Sequence, residues 1–341
     1  MADRDDESAP ATLVDVAARA GVSLKTASRA VNGEPHVAEG TRRRVVAAAD
    51  QLGFRLNSQA SLLRRGLRPG VVGFVMGDLR NPFYSAIAKG LEVGARAAGL
   101  QLTVASTDED PDRERDLVAE LVDRQVRALV VVSTRERHAD LEGVRQRGIR
   151  LVFVDRPPVG LDADAVLLDD EGGARRAVES LLARGHRRIG FVGDFSRLPT
   201  HRDRLHGYAA AMEAAGVEGH RRWVREDRHD AASARGGVRE LLELPEPPTA
   251  LFTSNNRVTI GALSALRGVA APPALVGFDD FDLADVLGVS VVAHDPVELG
   301  RRAADLALGP APDDGLPRRV VLPTELVHRG SGEVGPGVAW R

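Results

Sequence analysis

Thr12 to Gly33, TLVDVAARAGVSLKTASRAVNG, reads as two short helices joined by a tight glycine turn. Thr12 stands where an N-cap belongs, and Asp15 follows three residues later as a capping-box acid. Val16, Ala17 and Ala20 then fall on one helical face. Gly21 breaks the run, Ser23 offers a second N-cap, and Leu24 to Val31 forms a helix whose outer face carries Lys25, Thr26, Ser28 and Arg29. Asn32-Gly33 closes it. The pattern is that of a helix-turn-helix, a unit whose second helix lies in the DNA major groove with its first side chains at base edges. Leu24, Lys25 and Ser28 are therefore the candidate readers.

Charge supports this reading. Residues 11 to 68 hold ten Lys/Arg against four acids, a net of +6 in a chain whose total is −3. Neutralising phosphates needs such an excess, and it sits beside the motif. A helical run from about Thr41 to Leu52, with Val45, Val46, Ala49 and Leu52 inward, completes a three-helix headpiece over residues 11–56. The 341 residues allow two or three domains with real cores. The sequence has no cysteine, which excludes disulfides and thiolate metal sites. Residues 1–10 are acidic and polar rather than a signal peptide, and no apolar run approaches a membrane span, so a cytoplasmic protein is expected. Residues 1–10 and 330–341 read as disordered tails.

Asn57 to Gly66, NSQASLLRRG, has an N-cap residue, a weak apolar stripe at Ala60 and Leu63, and a closing glycine. A helix of two turns is marginal alone in water. The segment 57–69 is thus a candidate coupling element, ordered only when docked. From Val71 the pattern changes to short β-branched runs alternating with amphipathic helices, which predicts parallel sheets covered on both faces. A second α/β unit begins after Leu168, so residues 70–329 are read as two lobes with a cleft between them. Polar residues cluster after the strand ends: Asp78 to Asn81, Asp155-Arg156, Asp169-Asp170, Asp194, Asn255-Asn256 and Asp279-Asp280. Ligands of open α/β sheets bind at those carboxyl ends. Carboxylates, amides and an arginine suit a polyhydroxylated ligand, whose hydroxyls both donate and accept.

No catalytic residue, metal ligand or cofactor is expected. The sequence contains no GxSxG elbow, no Walker A loop and no GxGxxG after the first strand. His186, His201, His206 and His229 lack metal spacing. Neighbouring aspartates on an extended chain point opposite ways, so neither Asp169-Asp170 nor Asp279-Asp280 should converge on one atom.

Over about residues 11 to 329 the chain resembles the lactose/galactose-repressor family of bacterial transcription regulators. The match is carried by the opening stretch and Asn57–Gly66, then by NPFYSAIAKG from Asn81, FVDRP from Phe153 and LLARGHRRIGFVGD ending at Asp194. RLHGY from Arg204, NNRVTIGAL from Asn255 and VGFDD from Val276 complete it. The resemblance implies an all-α headpiece followed by a two-lobe α/β effector domain like that of periplasmic binding proteins. It also implies a homodimer or tetramer on a pseudo-palindromic double-stranded operator, with paired hinge helices in the minor groove and Leu63 as the wedge. Leu24, Lys25 and Arg29 match base-reading and backbone-contacting positions. Thr12, Ser23, Thr26, Ser28, Asn32, His36, Asn57 and Ala60 complete the expected DNA-contact set. Asn81, Phe83, Asp155, Arg156, Asp169, Thr200, Arg204, His229, Asn255 and Asp279 match effector-facing positions, with Arg204 clamping a ring hydroxyl or carboxylate.

Departures concern the effector more than the function class. Leu56 replaces a usual proline, Ser61 a frequent arginine, and Asn256 a usual aspartate. His229 stands where an aromatic residue commonly stacks on a sugar. The expected function is a repressor of carbohydrate-utilisation genes controlled by a small sugar-like effector and without enzymatic activity. A purine-type corepressor, a sugar-binding protein that does not touch DNA, and a cleft enzyme are the competing readings.

Overall fold

The computed structural model describes residues 11–54, 70–312 and 315–340. The expected contacts Asn57, Ala60 and Leu63 lie outside the described residues, as do positions 1–10 and 341. The chain divides into two compact units, meeting between Pro69 and Gly70.

The first unit holds α1 (Leu13–Ala20), α2 (Leu24–Val31) and α3 (Glu39–Gln51). Thr12 and Asp15 form the full capping box on α1, and Gly21 ends that helix in the left-handed region at φ 65°. Ser23 caps α2 by accepting from the Thr26 N–H. The core is small: Val16, Ala17, Ala27, Ala30, Val45, Ala48 and Ala49. Val46 was expected inward but is 45% exposed. The buried face of α3 is set by Val45, Ala48 and Ala49, which leaves Val46 about 100° round the helix.

The second unit contains two six-stranded sheets. The first comprises β1 (Val71–Met76), β2 (Gln101–Ser106), β3 (Ala128–Val131), β4 (Arg150–Val154), β5 (Asp164–Leu168) and β11 (Arg319–Leu322). All its pairings are parallel, in the order β2-β1-β3-β4-β5-β11. The second comprises β6 (Ile189–Val192), β7 (Val224–Arg225), β8 (Ala250–Thr253), β9 (Ala274–Phe278), β10 (Ser290–Ala293) and β12 (Glu325–Val327). It is parallel except for β12, which runs antiparallel to β10. Strands β3, β5, β6, β8 and β9 are buried at every position, the mark of sheets covered on both faces.

Helices α4 (Pro82–Ala97), α5 (Pro111–Asp123) and α6 (Glu142–Gln146) belong to the first lobe, and α7 (Asp170–Ala183), α8 (Pro199–Ala214), α9 (Ala231–Leu242) and α10 (Asn256–Leu266) to the second. The chain crosses between lobes after Leu168, after Ala293 and after Leu322. On the second passage α11 (Pro296–Leu308) returns to the first lobe and packs tightly on α4. A Cβ at Gly300 would stand 2.0 Å from the Ile87 carbonyl oxygen, so glycine permits that approach.

Strands β7, β10, β11, β12 and helix α11 were not anticipated. The expected tail at 330–341 is also corrected: residues 330–340 pack on the second lobe. Ser331 is fully buried and its hydroxyl donates to the Leu275 carbonyl. The Trp340 indole donates to the Pro273 carbonyl at 2.9 Å, and His186 bonds the Val334 carbonyl at 2.9 Å. Glycines and polar residues suggested disorder, yet each polar group here completes a buried strand end.

Candidate functional site

In the first unit the outward surface of α2 begins with Leu24, 50% exposed, and the exposed Lys25. Neither side chain has a hydrogen-bonding or ionic partner among the described residues. The other expected contacts have local duties. The Ser23 and Thr26 hydroxyls lie 2.8 Å apart. Asn32 donates to the Ser28 carbonyl at 2.8 Å, and Thr12 donates to the Asp15 carboxylate at 2.7 Å. Arg29 donates to the Pro35 carbonyl at 3.2 Å and lies 3.4 Å from Glu34. His36 is exposed in the turn before α3, at φ 69°. These bonds lie at the surface, so capping and nucleic-acid contact are compatible for these groups.

In the second unit, Asp78, Asp155, Asp194 and Asp279 follow the ends of β1, β4, β6 and β9, while Asn81 and Asn255 cap α4 and α10. Nine expected positions line one cleft: Asn81, Phe83, Asp155, Arg156, Thr200, Arg204, His229, Asn255 and Asp279. Asp78, Tyr84, Asp194 and Arg257 line it too and were not selected. Strand-end position pointed to the two aspartates; Tyr84 and Arg257 lie within NPFYSAIAKG and NNRVTIGAL but were not singled out there.

Asp169 is the exception. It caps α7 through the Gly172 N–H and pairs with Arg176 at 3.2 Å, outside the cleft. Its neighbour Asp170 turns inward and meets Arg204 at 2.7 Å. The two carboxylates point apart, as expected, but it is Asp170, the first residue of the helix, that turns to the buried side.

Both buried arginines are held by the protein. Arg156 gives two donors to Glu109, at 2.7 and 2.9 Å, and others to the Tyr84 hydroxyl and Ser133 carbonyl at 3.0 Å. Arg204 gives Nε to Asp170 and Nη1 to the Ser254 carbonyl. Its Nη2 is 3.7 Å from Asp279. Arg204 keeps its place on the cleft wall with Nε and Nη1 held by acceptors inside the fold, as a buried guanidinium requires.

On the other wall the Asp194 carboxylate holds His229 Nδ1 at 2.7 Å and accepts from the Asn255 amide at 2.8 Å. The Phe195 ring stacks on His229 with centroids 4.5 Å apart and planes 13° apart. One face of the histidine is therefore covered.

Burial pushes Glu109 up, but the Arg156 guanidinium overrides it and holds the carboxyl at about 2. Burial raises Asp155 well above the usual carboxylate range despite Arg156 and Arg204, and raises Asp170 in the same way despite Arg204. Asp279, equally buried, stays low because Arg204 and His294 face it. Burial opposes the charge on His229, and the bond to Asp194 reverses that, raising its pKa.

The lobes are fastened across the cleft. Arg197 donates to the Glu109 carbonyl at 2.7 Å and the Thr134 hydroxyl at 3.2 Å. Asn256 donates to the Asn81 side chain at 2.8 Å, and Arg257 stands 3.5 Å from Asp78. The space left is about 30 Å³, room for water-sized groups rather than a sugar ring. A wider hollow of about 400 Å³ lies at the amino-terminal edge of the first sheet. Its Arg150 is occupied by the Leu306, Gly309 and Pro310 carbonyls, so the convergent strand-end chemistry favours the cleft.

Residues 12–57 match the model for bacterial regulatory proteins of the lacI family, and residues 178–332 that for a periplasmic binding protein-like domain. The transcriptional regulator GalR of Escherichia coli is 31% identical over 94% of this chain and 95% of its own. The regulator DegA of Bacillus subtilis is 30% identical over 94% of this chain and 97% of its own. Among solved structures, a complex of the regulator CelR with cellobiose is 29% identical, covers 94% of this chain and 99% of its own, and has a TM-score of 0.68. The Cra regulator of Pseudomonas putida with fructose 1-phosphate is 28% identical, covers 76% of this chain and 98% of its own, and has the same TM-score of 0.68.

Proposed function

Because the chain belongs to the lacI/galR family of bacterial transcription regulators, we propose that its cleft binds a sugar-like effector and that this binding controls the grip of the headpiece on an operator. The chain is a DNA-binding transcription regulator. The observation that carries the effector reading is the convergence of strand-end carboxylates and amides from both lobes on one cleft. Cellobiose, the sugar held by one of the structural neighbours, is of the hydroxyl-rich class those groups recognise.

The mechanism is differential binding. A ligand held between the lobes favours one interlobe angle, and DNA favours one arrangement of the paired headpieces. Linkage makes the two affinities depend on each other. Leu24 and Lys25 read base edges, and the caps of α1 and α2 position phosphates. The protein acts as a homodimer in the cytoplasm and catalyses no reaction. No helix among the described residues is long and apolar enough to cross a membrane.

The experiment is a thermal-shift screen of the full chain with sugars and purines, followed by DNA binding with and without any stabilising compound. A ligand that binds only the folded protein raises its melting temperature. A stabilising sugar that changes operator affinity supports the reading. A purine that does so replaces it with corepressor control, and a compound that is turned over revives the enzyme reading.

A further inference from the structure

The geometry points to an uncharged, hydroxyl-rich effector, with the Asp155 carboxylate as the group that rejects phosphorylated and carboxylated sugars. This rests on the effector reading above and narrows it to a charge class.

Two buried polar atoms carry the inference. Asp155 is 5% exposed and Arg156 3%, yet Asp155 Oδ1 and Arg156 Nε have no hydrogen-bond partner among the described residues. Leaving such atoms unsatisfied is costly, so each marks a place where something else should bond. The two side chains lie side by side, Arg156 Nε 3.7 Å from Asp155 Oδ2. One is a donor and the other an acceptor. A single hydroxyl satisfies both, its oxygen accepting from Nε and its hydrogen donating to the carboxylate. A phosphate or carboxylate oxygen can accept from Nε but has no proton for Asp155, and it brings like charge against that carboxylate.

The rest of the wall gives an anion no compensation. Asp155 sits at φ 68° just after β4, facing Arg156, Arg204, Asp279 and His294. Arg156 is matched by Glu109, and Arg204 by Asp170 and Asp279. Arg257, the least buried arginine of the lining, faces Asp78, and His229 faces Asp194. Arg156, Arg204, Arg257 and His229 thus each have a carboxylate of their own, and Asp155 only shares Arg156 with Glu109, at the longer distance of 3.7 Å. The free capacity of the site is one donor beside one carboxylate acceptor, which a hydroxyl fills on both sides and an anion only on the donor side.

The test compares matched sugars by thermal shift and calorimetry on the full chain at pH 7.5. Glucose, galactose, fructose and ribose are each set beside a phosphate ester and the corresponding sugar acid. The expected result is that any sugar that stabilises the protein does so in its neutral form, with the phosphate and acid at least tenfold weaker. An anionic form that binds as tightly as its neutral parent overturns the inference and leaves the effector reading intact. If no sugar of any charge binds, the effector reading falls and takes the inference with it. Asp155→Ala should weaken the neutral ligand by about tenfold or more and narrow the gap between neutral and anionic forms. Asp155→Asn, which keeps the side chain's size, repeats the measurement should the alanine variant not fold. Unchanged discrimination in a folded variant removes Asp155 from the role.

Discussion

Arg204 on α8 donates Nε to Asp170 at the start of α7 across 2.7 Å, with both side chains almost fully buried. The guanidinium also lies over the Phe278 ring, 3.7 Å from its centroid. One arginine thus joins two helices and β9 while facing three acids, Asp155, Asp170 and Asp279. Arg204→Ala strands buried carboxylates, and breaking such a pair costs about 3–5 kcal/mol. Urea unfolding of the full chain should show a loss of that order in the effector unit.

Asp155 is the opposite case, a buried acid without a full partner. Burial raises its pKa above the unfolded value near 4, so between those values the native chain binds more protons than the unfolded one. Stability therefore falls as pH rises through that window toward neutrality. Asp170, raised in the same way, adds to this trend. His229, also raised, contributes stability that is lost as pH climbs through its folded-state value. Burial lowers the pKa of His138 and His186, which works in the opposite sense up to neutrality, so the acid's share is read by comparing the melting profiles of the parent and Asp155→Asn from pH 5.5 to pH 8. Asp155→Asn should raise the melting temperature at pH 8 by the equivalent of about 1–2 kcal/mol and remove that acid's share of the slope, while weakening the effector.

Much of this was legible in the sequence, and the limits have physical causes. The cap at Thr12, the break at Gly21 and the helix from Leu24 are local signals, decided within a few residues. So were the strand-end positions that place Asp155, Asn255 and Asp279 in the cleft. The partners of Arg156 and Arg204 were not legible, because Glu109 and Asp170 reach them through tertiary packing rather than spacing. Strand β7 is two residues long and β12 three, too short for a periodicity. The segment after Gly330 looked like a tail because its packing rests on polar bonds to distant strands rather than on an apolar pattern.

Truncation after Arg329 tests that corrected segment. It removes the buried Ser331 and the Trp340 bond to Pro273 and exposes the edge they cover. The shortened chain should melt several degrees lower, with a loss of about 2–4 kcal/mol, while the isolated headpiece signal in the unfolding curve stays unchanged.

Arg197 fastens the lobes through the Glu109 carbonyl and Thr134, and it lies over Phe195, 4.2 Å from the ring centroid, which stacks on His229. Arg197→Ala removes that fastening without changing an atom of the cleft wall. Effector release by stopped flow should become about tenfold faster, with DNA affinity in the absence of effector within twofold of the parent.

The account's central claim is that α2 reads a sequence and the cleft governs how well. The direct measurement is fluorescence anisotropy of the full chain on DNA selected from random sequence and on a scrambled duplex, at fixed salt, with and without the stabilising neutral sugar. The selected duplex should bind at least a hundredfold tighter than the scrambled one. Lys25→Ala should erode that ratio more than it weakens non-specific binding, and the sugar should shift specific affinity by about tenfold in the parent and not in Asp155→Ala. Equal affinity for the two duplexes, or a sugar that binds the protein and leaves both affinities unchanged, would contradict the account.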